Sequence, residues 1–172
     1  KISPFEFHIN DGVLQGFISY NESLEGHLKM SNFDAMVLTN FIEDKRLKLS
    51  GLIFGEVWIR PSDLKYDLDV DISLKDGIYM EESFDEMVIS LLYKDGVLHL
   101  DDFSMTERSL MAIEISGVLP LNNDKLEKNS IMLETNFSNL PLKFIHRFAP
   151  DFFNVEGNAS GVLTMSGDRD RT

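Results

Sequence analysis

The sequence predicts a mostly β protein, an elongated antiparallel sheet folded into an open apolar trough, with one or two short helices. Three observations support this prediction: apolar and polar residues alternate along many short runs, tight-turn signals separate the runs, and part of the pattern occurs twice. Alternation with a period of two is typical of strands that have one dry face and one wet face. Many short strands joined by tight turns favour an antiparallel sheet.

The stretch from Leu64 to Leu74 shows the alternation most clearly, and similar runs follow along the chain. A sheet built from such runs collects its apolar side chains on one side, which must then be covered. A second sheet, the same sheet folded over on itself, or an apolar ligand could cover that side. The residues predicted to form the dry face are Leu64, Tyr66, Leu68, Val70, Ile72, Leu74, Ile89, Leu91, Tyr93, Leu98, Leu100, Ile113 and Ile115.

Three Asp-Gly pairs, each flanked by apolar residues, predict hairpin turns between the strands. They are Asp11-Gly12, Asp76-Gly77 and Asp95-Gly96. An Asp-Gly pair adopts the positive φ angles of a two-residue hairpin turn at low steric cost. These positions therefore predict three of the reversals in the sheet.

Two stretches break the alternation and predict short helices. The first runs from Ser31 to Asp44, has apolar residues near helical spacing, and carries Asp34 as a candidate N-cap. The second spans 138–153, with Pro141 in the first turn, where proline is tolerated, and Pro150 to end it.

The two helical stretches belong to an internal repeat of about 107 residues, which is the spacing from Ser31 to Ser138. After a one-residue gap, Gly51 aligns with Gly157. Internal repetition favours an elongated architecture, so we interpret the chain as part of a longer repetitive protein. The predicted units are 1–30 (end of one β repeat), 31–46 (short helix and loop), 47–137 (β repeat), 138–154 (short helix and loop) and 155–172 (start of the next β repeat).

A smaller motif places a glycine after an apolar residue and a Ser or Glu, and it occurs five times. Glycine inside a strand usually marks a bend, a bulge or a close backbone approach. The motif therefore predicts that the sheet curves at regular places. The glycines concerned are Gly26, Gly51, Gly117, Gly157 and Gly167.

Composition excludes several classes of partner and site. The formal net charge of −13 disfavours nucleic acid, and without a run of Lys or Arg the chain has no basic patch for anionic lipid headgroups. The chain has no cysteine, so disulfides, thiolate metal sites and cysteine nucleophiles are excluded. No apolar run approaches the roughly 20 residues of a membrane-spanning helix.

Three aspartates, Asp67, Asp69 and Asp71, occupy alternate positions and invite a search for a metal site. An EF-hand loop starting at Asp67 requires glycine and glutamate where the chain has Ile72 and Ile78. An extended strand also holds side chains at i and i+2 about 6.5–7 Å apart, too far for neighbouring carboxylates to close on one ion. The aspartates are therefore interpreted as the wet side of a strand.

Catalytic motifs are also missing from the sequence. The histidines at 8, 27, 99 and 146 lack metal-ligand spacing, and the run 157–161 (GNASG) has its serine one place late for a nucleophile elbow. No phosphate-binding glycine loop is present. We therefore predict a non-enzymatic protein with no catalytic, metal or cofactor-binding residues.

The combined pattern resembles the translocation-and-assembly-module (TamB) and AsmA-like proteins, most clearly over 47–168. The join between a short helix and a new glycine-marked sheet, SNLPLKFIHRFAPDFFNVEGNASG, is similar as well. The other motifs that carry the resemblance are LSGLIFGEVWI, AIEISGVLPL and FNVEGNASGVLTMSGD, with LKDGIYM and YKDGVLHLDDFSM between them.

The resemblance implies a periplasmic segment of a bridge-like protein in a diderm bacterium, with its parent anchored in the inner membrane. Such proteins form an open, taco-like trough and are implicated in carrying phospholipid to the outer membrane. An outer-membrane β-barrel is the further partner implied, and no catalytic residues come with the family. The predicted dry face is then a groove for phospholipid acyl chains.

Two other functions stay open at the level of sequence. The trough and its strand edges could hold strands of outer-membrane proteins by β-augmentation, as a chaperone-like scaffold does. Alternatively, the strands could form a closed β-sandwich, such as an extracellular adhesin module.

Overall fold

A computed structural model describes residues 3–39, 49–63, 65–79, 82–108, 111–121, 130–142 and 156–168. Ten strands and one short helix follow one another along the chain. The strands are β1 (Ser3–Ile9), β2 (Gly12–Asn21), β3 (Ser23–Asp34), β4 (Leu49–Ser62), β5 (Lys65–Tyr79), β6 (Glu82–Lys94), β7 (Val97–Glu107), β8 (Met111–Pro120), β9 (Ser130–Pro141) and β10 (Asn158–Asp168). The helix α1 (Ala35–Thr39) lies between β3 and β4.

The described strands form one ten-stranded sheet in which each strand pairs with its neighbours in the chain. Every pairing is antiparallel, from β1 with β2 to β9 with β10. The predicted fold class, a mostly β chain with an open antiparallel sheet, is confirmed. The sandwich alternative requires a second sheet, and the described strands supply one sheet alone.

The hairpin turn predicted at Asp95-Gly96 is confirmed. These two residues have φ angles of 52° and 82° and separate β6 from β7. At the first Asp-Gly pair the two turn residues are Asn10 and Asp11 instead, because Gly12 already pairs with Ile9. Asn10 takes the positive φ there, 55°.

The hairpin turn predicted at Asp76-Gly77 is wrong. Both residues lie inside β5, which continues to Tyr79, and the connection to β6 falls at 80–81, outside the described residues. Asp76 kinks the strand with a φ of 51°. A side chain on Gly77 would collide with the ring of Phe84, so this glycine makes room for a buried aromatic residue.

The first predicted helix is real but shorter than expected, because β3 extends through 31–34 before α1 begins. Asp34 caps α1 as predicted, since its Oδ1 accepts a hydrogen bond from the backbone N–H of Met36 at 2.9 Å. Residues 40–44 lie outside the described part. In the second stretch 138–141 belong to β9, and 143–153 are outside the described residues.

The same β-bulge occurs in the two aligned parts of the chain. In β3, Ser31 and Asn32 together oppose Phe54 of β4, so the register shifts between Met30 and Phe33. In the second copy the register shifts in the same way, with 138–139 of β9 opposing a single residue of β10. These shared features favour the predicted repeat. Strands β3 and β9 each continue past the unit boundaries predicted near residues 30 and 137.

The glycine motif marks irregular backbone at three of its five positions. Gly51, Gly117 and Gly157 have φ angles of 128°, 146° and 111°. Gly117 also lies so close to the neighbouring strand that an added Cβ would collide with the carbonyl oxygen of Met132. Gly26 and Gly167 do not show positive φ.

The sheet curves strongly, as shown by a single cavity that residues from distant strands line together. Tyr79 of β5 and Leu163 of β10 both face the same apolar space. With strands about 4.8 Å apart, a flat sheet would hold β5 and β10 about 24 Å from each other. The curvature also explains how a single layer buries Leu74 and Met105 to 1% and 2% exposure.

Candidate functional site

Leu64 lies outside the described residues, and every other residue predicted for the dry face falls on β5, β6, β7 or β8. Directly opposed residues of an antiparallel pair lie on the same face of the sheet. One row across β5, β6 and β7 pairs Val70 with Leu91 and Leu91 with Leu100. Opposed positions therefore place these predicted residues on a common surface.

The neighbouring rows extend this surface in both directions. The pairs that establish them are Ile72 with Ile89, Ile89 with Phe103, Phe103 with Ile115, Leu68 with Tyr93, Tyr93 with Leu98, Leu74 with Met87, Met105 with Ile113, and Tyr66 with Pro61. We call this surface the apolar face, made of these residues and the row through Val70.

Burial is uneven along the strands of the apolar face. Leu74 and Ile113 are buried, whereas Leu68 and Leu98 in a row farther along the strands are half-buried. The buried end lies on the side of α1, where Ala35 is buried and Val37 packs against the core. The trough is therefore deepest beside α1 and shallower toward the opposite ends of the strands.

An apolar cavity of about 600 Å³ opens on the apolar face under β7–β10. Its volume lies within the range of about 300–1,000 Å³ typical of pockets for small molecules. Tyr79 and Thr135 are the two lining residues with a polar side chain. The other lining residues are Phe103, Met105, Ile113, Ile115, Phe137, Leu140, Val162 and Leu163. The mostly apolar lining can hold hydrocarbon.

Several residues of the cavity are absent from the sequence prediction, because bulges shift the alternation of apolar and polar residues along the strands. Asp101 is the extra residue of a bulge in β7, so Leu100 and Phe103 face the same way although three positions separate them. In β9 a bulge likewise brings Leu140 to the apolar side after Phe137. A pair of polar residues within an alternating run is the sequence signal that could have revealed these shifts.

The opposite face of the sheet carries the polar and charged side chains. Asp69 lies there, and its carboxylate accepts a hydrogen bond from Arg60 at 3.2 Å. The Trp58 ring stacks on the ring of His27, with centroids 3.6 Å apart and planes 11° from parallel. His27 in turn contacts Glu56, at 2.8 Å between Nε2 and Oε2. Asp69 and Asp71 therefore lie on the polar side of β5, as the sequence predicts, whereas Oδ1 of Asp67 is buried there without a hydrogen-bond partner among the described residues.

The residues that the structure describes contain neither a cluster of metal ligands nor a membrane-spanning helix. No three His, Asp or Glu side chains in that part of the chain are arranged to hold a metal ion. None of the helical residues that the structure describes forms a span long and apolar enough to cross a membrane. The cavity on the apolar face is thus the strongest candidate for a binding site.

Comparison with known protein families, with curated proteins and with solved structures found no match to this chain. The resemblance to TamB and AsmA-like proteins consequently stays a prediction from the motifs.

Proposed function

We propose that this chain is a non-enzymatic segment of a bridge-like lipid carrier, in which the apolar face holds phospholipid acyl chains. The observation that carries the proposal is the apolar cavity of about 600 Å³ on a face formed by successive strands. An open sheet offers a groove rather than a sealed core. A hydrocarbon chain can therefore lie along it without the sheet having to open.

The energetics of such a groove suit transport. Each buried methylene contributes about 0.8 kcal/mol, so an acyl chain is held by many small, similar contacts. The rows of the apolar face repeat nearly the same chemistry from strand to strand, as in Val70, Leu91 and Leu100. A chain that leaves one contact gains an equivalent one, which favours sliding over tight binding at one position.

The setting of this function follows from the resemblance drawn from the motifs. On that basis the segment belongs to the periplasm of a diderm bacterium, within a parent chain anchored in the inner membrane. The parent carries phospholipid between the inner and outer membranes and supports outer-membrane biogenesis, with an outer-membrane β-barrel as a further partner. The net charge of −13 favours solubility of a protein with an open apolar trough.

Native mass spectrometry of the purified chain tests the proposal, with phospholipid expected among the bound species. The Leu163→Asp variant places a charge at the cavity, where Leu163 is exposed enough for the fold to tolerate it. Thr164→Asp is the matched control, because the next residue faces the other side of β10. Loss of lipid in Leu163→Asp alone supports the proposal, and lipid-free wild-type protein contradicts it.

A chaperone-like scaffold for outer-membrane protein strands is the second candidate, favoured by the same exposed apolar face. The two functions differ in what occupies the trough. Unfolded outer-membrane protein peptides that bind competitively with lipid analogues, in a protein that carries no lipid on purification, would favour the scaffold.

A further inference from the structure

One residue of the apolar cavity comes from a strand that is distant from the others. Of the described lining residues, Tyr79 alone lies outside β7–β10. It belongs to β5, and the strand between, β6, contributes none of the described lining. Tyr79 is half-buried and packs against the core. Its ring therefore reaches past β6 to face the lining residues of β7–β10, and packing holds it in that position.

A kink in β5 turns Tyr79 toward the cavity. Leu74 faces the apolar side, so unbroken alternation would place Ile78 on that side and Tyr79 on the polar side. Asp76 interrupts the alternation with a φ of 51°. Beyond it Ile78 is 50% exposed, whereas Tyr79 packs against the core. The Asp76-Gly77 pair, which forms no hairpin turn, thus sets the direction of Tyr79.

Tyr79 lies at the end of the cavity on the side of α1. It is farther along β5 than Leu74 and opposes Leu49 at the start of β4. The other end of the cavity is a row across β7–β10 made of Phe103, Ile115, Thr135 and Leu163. Beyond that row the apolar face continues into its half-buried part. A hydrocarbon chain that enters from there meets Tyr79 at the far end.

We infer that Tyr79 is the end stop of the cavity and limits the length of hydrocarbon that lies in it. The inference rests on the proposed function, because it concerns how far an acyl chain reaches into the groove. Each methylene that becomes buried raises affinity by up to about fourfold. Once the chain touches the Tyr79 ring, a further methylene finds no new apolar contact and adds no affinity.

The size and packing of the Tyr79 side chain suit it to this role. An aromatic ring covers a large area with few rotatable bonds, so it forms a rigid wall. A leucine at this position would fill less of the space, and an alanine would leave the end of the cavity open. Removal of a large side chain leaves a space that the surrounding structure fills only in part. A longer chain should then fit.

Isothermal titration calorimetry of the intact chain tests the inference with straight-chain alkylphosphocholines of increasing length, each below its critical micelle concentration. Wild-type affinity should rise by up to about fourfold per methylene and then level off. In Tyr79→Ala the levelling point should move to chains longer by about two to four methylenes, the hydrocarbon that fits the space of the removed ring. Tyr79→Leu should shift it less in the same direction, and it carries the test if Tyr79→Ala does not fold.

Two controls separate the stop from general effects on the groove. Tyr79→Phe keeps the ring and should level off at the wild-type length. Tyr66→Ala makes the same truncation in the same strand, at a residue of the apolar face that is outside the cavity lining.

A levelling point that moves in Tyr79→Ala or Tyr79→Leu, but in neither control, supports the inference. One that stays fixed in every variant, or moves equally in Tyr66→Ala, overturns the role of Tyr79 and leaves the lipid groove standing. Absence of binding at every chain length contradicts the groove itself, and the inference with it.

Discussion

Asn32 and Asn139 adopt the same left-handed backbone conformation, with φ angles of 55° and 51°. Each is the second residue of a bulge near the end of its strand, and each precedes a buried apolar residue, Phe33 or Leu140. Asparagine tolerates this conformation better than other residues with a side chain. The paired bulges therefore favour the repeat that the sequence predicts.

Asn139→Val is expected to destabilise the protein by about 1–2 kcal/mol, because a β-branched residue disfavours a positive φ. It also removes the hydrogen bond that Asn158 Nδ2 donates to Asn139 Oδ1 at 2.7 Å. Asn136→Val, in the same strand with an ordinary backbone, should change stability by less than about 0.5 kcal/mol. Urea unfolding measures both, and equal effects would contradict the assignment.

Gly55→Ala is expected to cost about 2–4 kcal/mol of unfolding free energy, through strain and overpacking. Gly55 has a φ of 123°, and an added Cβ would lie 2.7 Å from the Cα of Ile72. Gly167→Ala is the control, since no heavy atom lies within 4 Å of its Cβ position. Thermal and urea unfolding should separate the two variants clearly, whereas a tolerated Gly55→Ala would argue against the close approach of β4 and β5.

The faces of the strands could be predicted from the sequence because alternation depends on local geometry alone. In β5 the aspartates identify the wet side, and the residues between them, from Tyr66 to Leu74, lie on the apolar face as predicted. The cap at Asp34 was predictable for the same reason, since it requires one side chain and a nearby backbone N–H.

The bulges and the cavity could not be predicted, because they depend on how neighbouring strands pair. The extra residue at Asp101 shifts the alternation of β7, so Phe103 joins the cavity against the simple pattern. At Asp76-Gly77 the local turn signal is overridden, since β5 and β6 stay paired beyond it and Phe84 packs over the glycine. Local propensity yields to tertiary packing at these positions.

Leu74→Ala is expected to destabilise the protein by about 2–5 kcal/mol, the usual cost of truncating a fully buried leucine. Ile78→Ala in the same strand should cost less than about 1 kcal/mol, because Ile78 is 50% exposed. Denaturant unfolding of the two variants compares a buried position on the apolar face with an exposed position in the same strand. Similar losses would mean that the sheet does not close over Leu74.

Asp71→Asn is expected to raise stability by about 0.2–1 kcal/mol at low salt, because Asp71 directly opposes Glu56. Asp69→Asn should have the opposite sign or no effect, since it weakens the contact with Arg60 at 3.2 Å. Added salt should reduce both changes. A loss of stability in Asp71→Asn that salt does not alter would indicate a structural role for this carboxylate.

Photo-crosslinking at two adjacent residues tests the lipid groove most directly. Leu91 opposes Val70 and Leu100 on the apolar face, whereas Leu92 opposes Asp69 and His99 on the other. Both are leucines in one strand, so they differ mainly in the direction in which they point. A photoreactive residue at position 91 should crosslink to phospholipid, and one at position 92 should not. Equal labelling, or stronger labelling at 92, would contradict the proposal that the apolar face carries lipid.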